Sequence, residues 1–159
     1  MRVHLDVPAR AAYALFADLD EIQALNSDIE AARVVGRTRS GAVDLYSEIR
    51  VCVLWLCRSV RETQHMAFTP TADGGEVLAT ILPRGGDFRA GHARWVFRRA
   101  GGGTSLQMTA EFVPAFRVPP VIGPWLIKRW LRGEVARTAV NLERLSARGA
   151  SSSHARPAR

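Results

Sequence analysis

The sequence predicts an α+β fold with a short strand, two short helices, a run of antiparallel strands and one long closing helix. Three observations predict it. Apolar residues recur at helical spacing near the start of the chain and again after Pro120, whereas residues 31–114 alternate with a period of two and are interrupted by breaks rich in glycine and proline. With 159 residues, of which 47% are hydrophobic, the chain is large enough for one domain with a single core.

The N-terminal elements follow from a proline and an apolar repeat. Residues 3–6 predict a short strand. Pro8 comes next, and proline favours the first turn of a helix, while the apolar residues after it recur at i, i+3, i+4 and i+7. We therefore expect an amphipathic helix over residues 8–19 and a second, shorter helix over residues 21–25, which ends at Asn26-Ser27-Asp28.

The central strands are separated by such breaks, except at one place. Residues 42–69 contain no glycine, proline or asparagine, and as one strand they would span roughly 95 Å at about 3.4 Å per residue, far beyond the usual length. A turn must lie within them, at residues 53–56 or, as the alternative, at Arg58-Ser59. With this turn the chain has seven strands. We favour residues 53–56 because that register gathers the apolar residues on one face and sets two opposite-charge pairs on the other, Asp44 with His65 and Glu48 with Arg61.

The favoured turn would place the only two cysteines of the chain opposite each other. Cys52 and Cys57 would then be within disulfide range, so a bridge is compatible with the register, although two reduced cysteines are what a cytosolic protein would have. The tip between them would be a surface loop without a polar residue. Such a loop usually covers something or inserts into something, so we expect membrane contact at Val53, Leu54, Trp55 and Leu56.

The closing helix is predicted by an apolar stripe after Pro119-Pro120. The stripe consists of Ile127, Leu131, Val135, Thr138, Leu142 and Leu145.

The chain after this helix is expected to be disordered. Residues 148–159 contain no large apolar residue, so we expect a disordered basic tail there and a folded domain over residues 1–147.

The net charge of +7 is concentrated at the C-terminal end of the chain. A basic surface there suits an anionic membrane, an acidic partner or nucleic acid. Trp125 and Trp130 lie among aliphatic and basic residues, as in membrane-interface segments, which favours peripheral membrane contact over nucleic acid; the alternative is a core helix whose Trp side chains pack on the sheet. No run of 18 apolar residues and no signal-peptide pattern is present, so we expect a cytoplasmic protein as the chain is written.

Three segments also carry a resemblance to a known superfamily. They are VPARAAYALFADLD, which begins at Val7, then GHARWVF at residues 91–97, and the closing segment, residues 116–145. With these in order, the chain resembles the START-like, helix-grip superfamily (SRPBCC), in particular its coenzyme-Q-binding and polyketide cyclase/dehydrase-like branch. The resemblance implies a sheet curled around the long helix, with an apolar cavity between them. Relatives with such a cysteine pair look like exported proteins, so a start upstream of Met1 would make the protein periplasmic.

The resemblance and the alternation together predict a binding site for an apolar small molecule, such as a lipid, a quinone or a polycyclic compound. We expect a carrier or sensor rather than an enzyme. A buried carboxylate is costly, so Glu62 would have to pair, for example with Arg89, take up a proton or face water; the alternative is that it lies at an open edge. The expected ligand-binding residues are Leu45, Ser47, Ile49, Glu62, Gln64, Met66, Arg89, Trp95, Phe97 and Met108.

Two other functions remain open at this stage. One is a cyclase or dehydratase acting on a polyketide-like substrate in the same cavity, for which Glu62, Tyr46 and Arg89 are the acid–base candidates, although Tyr46 points outward in the predicted register. The other is a module that binds an acidic macromolecule such as RNA through the basic C-terminal end. The histidines and cysteines lack metal-ligand spacing, so we expect neither a metal nor a cofactor.

Overall fold

The computed structural model describes residues 1–53, 56–116 and 123–154, and for positions 53, 56, 123–128, 130, 131, 134 and 148–154 it describes the backbone alone. Its elements, in chain order, are β1 (Arg2–Leu5), α1 (Ala9–Ala17), α2 (Ile22–Leu25), β2 (Ile29–Arg37), β3 (Val43–Val53), β4 (Leu56–Thr71), β5 (Gly74–Ile81), β6 (Phe88–Ala100), β7 (Gly103–Pro114) and α3 (Gly123–His154).

The seven strands form one antiparallel sheet in the order β1-β7-β6-β5-β4-β3-β2. Strands β2 to β7 follow one another as hairpins, and β1 joins the sheet beside β7, where Leu5 is opposite Thr104. The sheet is curled, and the two short helices and α3 pack on its concave face. The predicted fold class is confirmed, including the seven strands, the two helices after the first strand and the long closing helix.

The register predicted for β3 and β4 is confirmed at every pair. Cys52 lies opposite Cys57, and a disulfide joins them across the two strands. The strands continue one pair further, to Val53 and Leu56, so the turn is tighter than the predicted four residues, and residues 54–55 lie outside the described part of the chain.

On the outer face of the β3–β4 pair, the polar residues that alternate with the inward apolar ones contact each other. Asp44 pairs with His65 at 2.7 Å, and Glu48 pairs with Arg61 at 3.0 Å, as predicted. The Tyr46 hydroxyl donates a hydrogen bond to Glu48 Oε1 at 2.5 Å on the same face. Tyr46 therefore points away from the concave face, as the predicted register requires, and is not a candidate for chemistry in a cavity there.

Helix α1 is held against the sheet by aromatic side chains and by a glycine that allows a close approach. Tyr13 meets Phe97 edge to face, with 6.0 Å between the ring centroids, and Phe16 lies 5.2 Å from Trp95. At Gly75 of β5 a Cβ atom would come within 2.4 Å of the Tyr13 ring, so a side chain there would displace the helix. The helix begins just after Pro8, in accord with the predicted start.

Helix α3 closes the concave face with the stripe that the sequence predicts. Val135, Thr138 and Leu142 are buried, and Leu145 is half-buried. The side chains of Ile127 and Leu131 lie outside the described residues. The helix runs to His154, past the predicted start of the tail at Arg148, and residues 155–159 are not described.

Two side chains of α3 fasten it to the end of α2 and to the residues between α2 and β2, together called the α2–β2 segment here. Asn141 donates a hydrogen bond to the Leu25 carbonyl oxygen at 3.0 Å, and Arg137 pairs with Asp28 at 2.5 Å. These contacts hold the helix over one side of the concave face, so α3 and the α2–β2 segment form one wall. In the part of the chain that the structure describes, no helix combines the length and the hydropathy needed to cross a membrane.

Candidate functional site

A cavity of about 140 Å³ lies between the concave face of the sheet and the three helices. The sheet supplies one wall, and α1, α2 and α3 supply the other. Most of its lining is aliphatic or aromatic, because the inward positions of the strands alternate with outward polar ones. The lining residues are Phe16, Ile22, Leu25, Asn26, Ile29, Ile49, Val51, Val60, Glu62, Gln64, Met66, Phe88, Trp95, Leu106, Met108, Phe112, Val135 and Thr138.

Four polar side chains interrupt this apolar lining. Glu62 and Gln64 project from β4 on the sheet side, whereas Asn26 follows α2 and Thr138 belongs to α3. Of the described lining residues, Glu62 alone is titratable. Any charge that the described wall presents to a ligand therefore comes from this one carboxyl group.

Glu62 is buried in the middle of β4, with 5% of its surface exposed. Ser47 lies directly opposite it on β3, and its hydroxyl donates to Glu62 Oε1 over 3.4 Å. Gln64, two residues along the same face of β4, donates from Nε2 to the same oxygen at 3.0 Å. Both hydrogen bonds reach Oε1, and among the described residues no partner reaches Oε2.

The surroundings of Glu62 favour its neutral form. Burial away from water raises the pKa of the Glu62 carboxyl from 4.5 to about 7, and the Ser47 hydrogen bond offsets part of that rise. No described cation pairs with it. Near pH 7 the group therefore exchanges between a carboxylate and a carboxylic acid, which is the property that a general acid or a switchable hydrogen-bond donor needs.

The sequence-predicted ligand-binding residues divide between the cavity wall and the core behind it. Leu45, Ser47 and Phe97 are fully buried without lining the cavity; Ser47 acts on the site through Glu62, and Phe97 packs against α1. The predicted residues that do line the cavity are Ile49, Glu62, Gln64, Met66, Trp95 and Met108.

The prediction for Arg89 is wrong. Arg89 is exposed, and it does not pair with Glu62, whose partners are Ser47 and Gln64. The reason is an irregularity in the pairing of β6 with β7 between Phe88 and Ala90, which shifts the register there. Phe88 is consequently the residue that lines the cavity, and the proposed acid–base role of Arg89 has no basis in this arrangement.

Sequence reasoning missed the two polar residues of the helical wall. Thr138 belongs to the predicted α3 stripe, and a hydroxyl within an apolar stripe is a usable signal that it faces a site. For Asn26 the sequence predicts only a chain break. Its side chain is buried, and its Oδ1 accepts the Asp28 backbone N–H at 2.9 Å. Nothing in the sequence pattern showed that this break folds over the sheet.

The expected membrane-contact residues are only partly covered by the structure. Leu54 and Trp55 lie outside the described residues. Val53 and Leu56 belong to paired strands, but their side chains are not described. The same holds for Trp125 and Trp130, which lie in α3. Membrane contact stays a prediction.

In the described ranges, no three side chains of His, Cys, Asp or Glu come together in a way that could hold a metal ion. The chemistry available to the cavity from the described residues is thus that of one carboxyl group, two amides and a hydroxyl on an apolar wall.

Comparisons with solved structures give the same fold. The Zhui aromatase/cyclase from Streptomyces sp. R1128 matches with a TM-score of 0.75 and 11% identity over 93% of this chain and 92% of that one. A START superfamily protein from Mycobacterium smegmatis gives 0.71 and 16%, over 93% and 95%. Human STARD10 gives 0.72 and 13%, over 89% of this chain and 61% of that one.

Comparisons of the sequence identify the family. A search among curated proteins finds no significant match. The family model described as polyketide cyclase / dehydrase and lipid transport, in contrast, matches residues 1–147, which is nearly the whole chain and all of the predicted domain. The protein therefore belongs to the polyketide cyclase/dehydrase and lipid transport family.

Proposed function

We propose that this protein binds an apolar small molecule in the cavity between its sheet and α3, and that it carries or senses that molecule rather than converting it. The observation that carries the proposal is the cavity itself, which has apolar side chains on both walls. An apolar cavity of about 150 Å³ in another protein stays dry and takes up benzene, so a cavity of this size can hold the apolar part of a ligand. Burial of that part supplies affinity at roughly 25 cal/mol per Å².

The volume of the described cavity, about 140 Å³, matches a ring-sized group. A larger ligand would either extend through the open side of the cavity or separate α3 from the sheet, and the contacts that hold α3 determine how easily the helix moves. On the α2–β2 side they include a partly buried hydrogen bond from Asn141 and an exposed ion pair of Arg137 with Asp28, and an exposed ion pair adds little to stability. We therefore expect the cavity to widen by movement of α3, while the paired strands keep their places.

The relatives support ligand binding more strongly than they support one reaction. The family description names both polyketide cyclases and lipid transport. A STAR-related lipid transfer protein from Xanthomonas axonopodis and the Zhui aromatase/cyclase share the fold at 13% and 11% identity. Binding needs only a site that holds the apolar molecule, whereas turnover needs additional groups placed against the substrate, and a shared fold does not show that they are present.

A specific observation favours a second candidate function, that of a cyclase or dehydratase. Glu62 lines the cavity with a pKa raised by burial to about 7, which suits proton transfer at neutral pH. As an enzyme, the protein would lose turnover in Glu62→Gln and retain binding. As a carrier, it would show no turnover of a polyketide-like substrate that it binds. A substrate that is bound and cyclised would replace the carrier proposal.

The membrane and the compartment belong to the same proposal. We propose peripheral contact with anionic membrane, for which the support is the apolar tip near Trp55 and the basic, Trp-containing start of the closing helix. We also propose an oxidising compartment such as the periplasm, since the exposed Cys52–Cys57 disulfide would not persist in a reducing one. Co-sedimentation with phosphatidylglycerol vesicles tests the first, and thiol labelling in cell fractions of the native source tests the second. Indifference to vesicles, or free thiols in every fraction, would contradict them.

The main test removes the cavity without touching the rest of the surface. Val135 faces the cavity from α3, and Val140 is on the exposed side of the same helix. Val135→Phe should fill the space, and Val140→Phe is the matched control. We expect mass spectrometry under nondenaturing conditions to show a copurifying apolar adduct with the parent protein and the control but not with Val135→Phe. An adduct that is unaffected by Val135→Phe, or no adduct in any preparation, would refute the proposal.

A further inference from the structure

The lining of the cavity also limits what kind of ligand head it can take. The proposed function accounts for the apolar body of a ligand, but it does not use the oxygen of Glu62 that has no partner among the described residues. Oε1 already accepts two hydrogen bonds, from Ser47 and Gln64. A proton on this carboxyl group is therefore best placed on Oε2, where it makes the group a donor.

No described charge in the site would stabilise an ion beside Glu62. The residue that faces it from β3 is Ser47, and those that line the cavity from α3 and the α2–β2 segment include Val135, Thr138 and Asn26, all uncharged. The loop after β5 runs along β4 and carries Asp87, but that carboxylate is not part of the lining. Its Oδ2 accepts the Arg61 backbone N–H at 2.9 Å, and its Oδ1 pairs with Arg58 at 3.3 Å.

The charged side chains of α3 that the structure describes are also outside the lining. Arg137 is paired with Asp28 at the edge of the helical wall, and Arg129 and Arg132 are exposed. A ligand carboxylate would thus enter an apolar space with no described cation, beside a carboxyl group that can itself ionise. Both effects disfavour an anionic head group and favour a neutral one.

We infer that the ligand is a neutral apolar molecule with a hydrogen-bond acceptor oxygen, such as a ketone, aldehyde or ester carbonyl, which accepts a hydrogen bond from the protonated carboxyl group of Glu62. The inference rests on the proposed function, because it requires the cavity to be a binding site. It assigns a specificity-determining role to Glu62, and a supporting one to Ser47 and Gln64, which keep Oε1 occupied so that the proton lies on the oxygen without a protein partner.

The inference has a consequence for pH. The part of the affinity that comes from this hydrogen bond should follow the protonated fraction of Glu62, because only the protonated form can donate it, whereas the apolar part of the ligand can bind to either form. With a pKa of about 7, that fraction falls by about thirtyfold between pH 6 and pH 8.5. Burying a ligand against the carboxyl group removes water from it and moves the pKa further in the same direction.

The test compares three probes of one shape whose heads differ. Acetophenone presents a carbonyl oxygen, cumene replaces that oxygen with a methyl group, and 1-phenylethylamine presents an ammonium group. Each is titrated into the full-length protein labelled with ¹⁵N at pH 6 and pH 8.5, with dissociation constants taken from amide shifts. We expect acetophenone to bind about tenfold more tightly than cumene at pH 6, the usual effect of one buried hydrogen bond, and to lose that preference at pH 8.5.

Two variants separate the hydrogen bond from the rest of the site. Glu62→Gln retains a donor that cannot titrate, so acetophenone should keep its preference at both pH values. Glu62→Leu has no donor, so acetophenone and cumene should bind alike. If the leucine variant fails to fold, the glutamine variant alone tests the inference: its preference for acetophenone over cumene should no longer depend on pH.

Each outcome distinguishes this inference from the proposed function on which it rests. Binding of none of the probes, cumene included, would refute the cavity as a ligand site. Equal affinity of acetophenone and cumene for the parent protein at pH 6, or tightest binding of 1-phenylethylamine at pH 8.5, would overturn the assignment of Glu62 as a donor and leave the binding of apolar molecules intact.

Discussion

Replacement of Glu62 by glutamine should make the folded protein more stable at alkaline pH and leave its stability nearly unchanged at acidic pH. Glutamine is almost the same shape as glutamic acid, and its carbonyl oxygen can still accept from Ser47 and Gln64. The substitution therefore removes the charge and little else. An effect of the amide itself on the free energy of unfolding is the same at every pH. The pH dependence of the difference between variant and parent therefore reports the ionisation of the buried carboxyl group.

The magnitude follows from the two pKa values of Glu62, 4.5 in the unfolded chain and about 7 in the folded one. Below pH 4.5 both states hold the proton, so the group does not affect stability. Between these values the folded state alone holds it, and stability falls by about 1.4 kcal/mol per pH unit as pH rises. Above pH 7 both states are ionised, and the penalty levels off at about 3 kcal/mol. Glu62→Gln should recover that amount at pH 8.5 and almost none at pH 4.

Urea denaturation of the two proteins at pH 4, 6, 7 and 8.5 measures this difference directly. In thermal denaturation, a difference of about 3 kcal/mol in the free energy of unfolding would shift the Tm of a chain of this size by roughly 6–12 °C. Glu111→Gln, on the exposed side of β7, is the control for loss of a negative charge at the surface. A difference between Glu62→Gln and the parent that stays constant from pH 4 to pH 8.5 would refute the conclusion that Glu62 is buried and neutral near pH 7.

Two further predictions concern packing and the disulfide. Gly75→Ala should destabilise the protein by about 1–3 kcal/mol in urea denaturation, because the new methyl group would overlap the ring of Tyr13, whereas Gly102→Ala, with no atom within 4 Å of the added Cβ, should change little; equal effects would contradict the described contact. Reduction of the Cys52–Cys57 bridge should cost about 2 kcal/mol by the chain-entropy estimate for so short a loop. The reductant should have no effect on a double alanine variant, and an unchanged midpoint for the parent protein would show that the hairpin does not need its covalent link.

The β3–β4 pairing illustrates what the sequence could predict about the fold. Residues 42–69 contain no glycine, proline or asparagine, so their turn could be located only from the side chains that each register places on the two faces of the sheet. The pairing of Asp44 with His65 and of Glu48 with Arg61 identified one register. A register shifted by one residue would have placed apolar and polar side chains on the same face, so these two pairs were enough to identify the register. The same alternation failed at Arg89, because the shift between Phe88 and Ala90 reverses the faces and no residue in the sequence marks it.

The site was predictable where it is built from strands and not where it is built from helices and loops. Inward positions of β4 can be counted from one another, so the sequence predicts that Glu62 and Gln64 face the cavity. Asn26 lies in a chain break, and its place depends on how α3 and the α2–β2 segment meet, which is a tertiary contact with no local pattern. The pKa of Glu62 could not be predicted either, because it depends on how completely the two walls exclude water.

The pairing of β1 with β7 has a consequence for the way the chain folds as it is made. Every other neighbouring pair in the described sheet joins strands that are consecutive in the chain, but Leu5 and Thr104 lie about a hundred residues apart. At the usual rate of translation, roughly 5–20 s pass between the synthesis of these two residues. The hairpins can form during that interval, whereas β1 has no partner until β7 emerges. Completion of the sheet is therefore a late step, and until then β1 and the edge of the nascent sheet are accessible to chaperones.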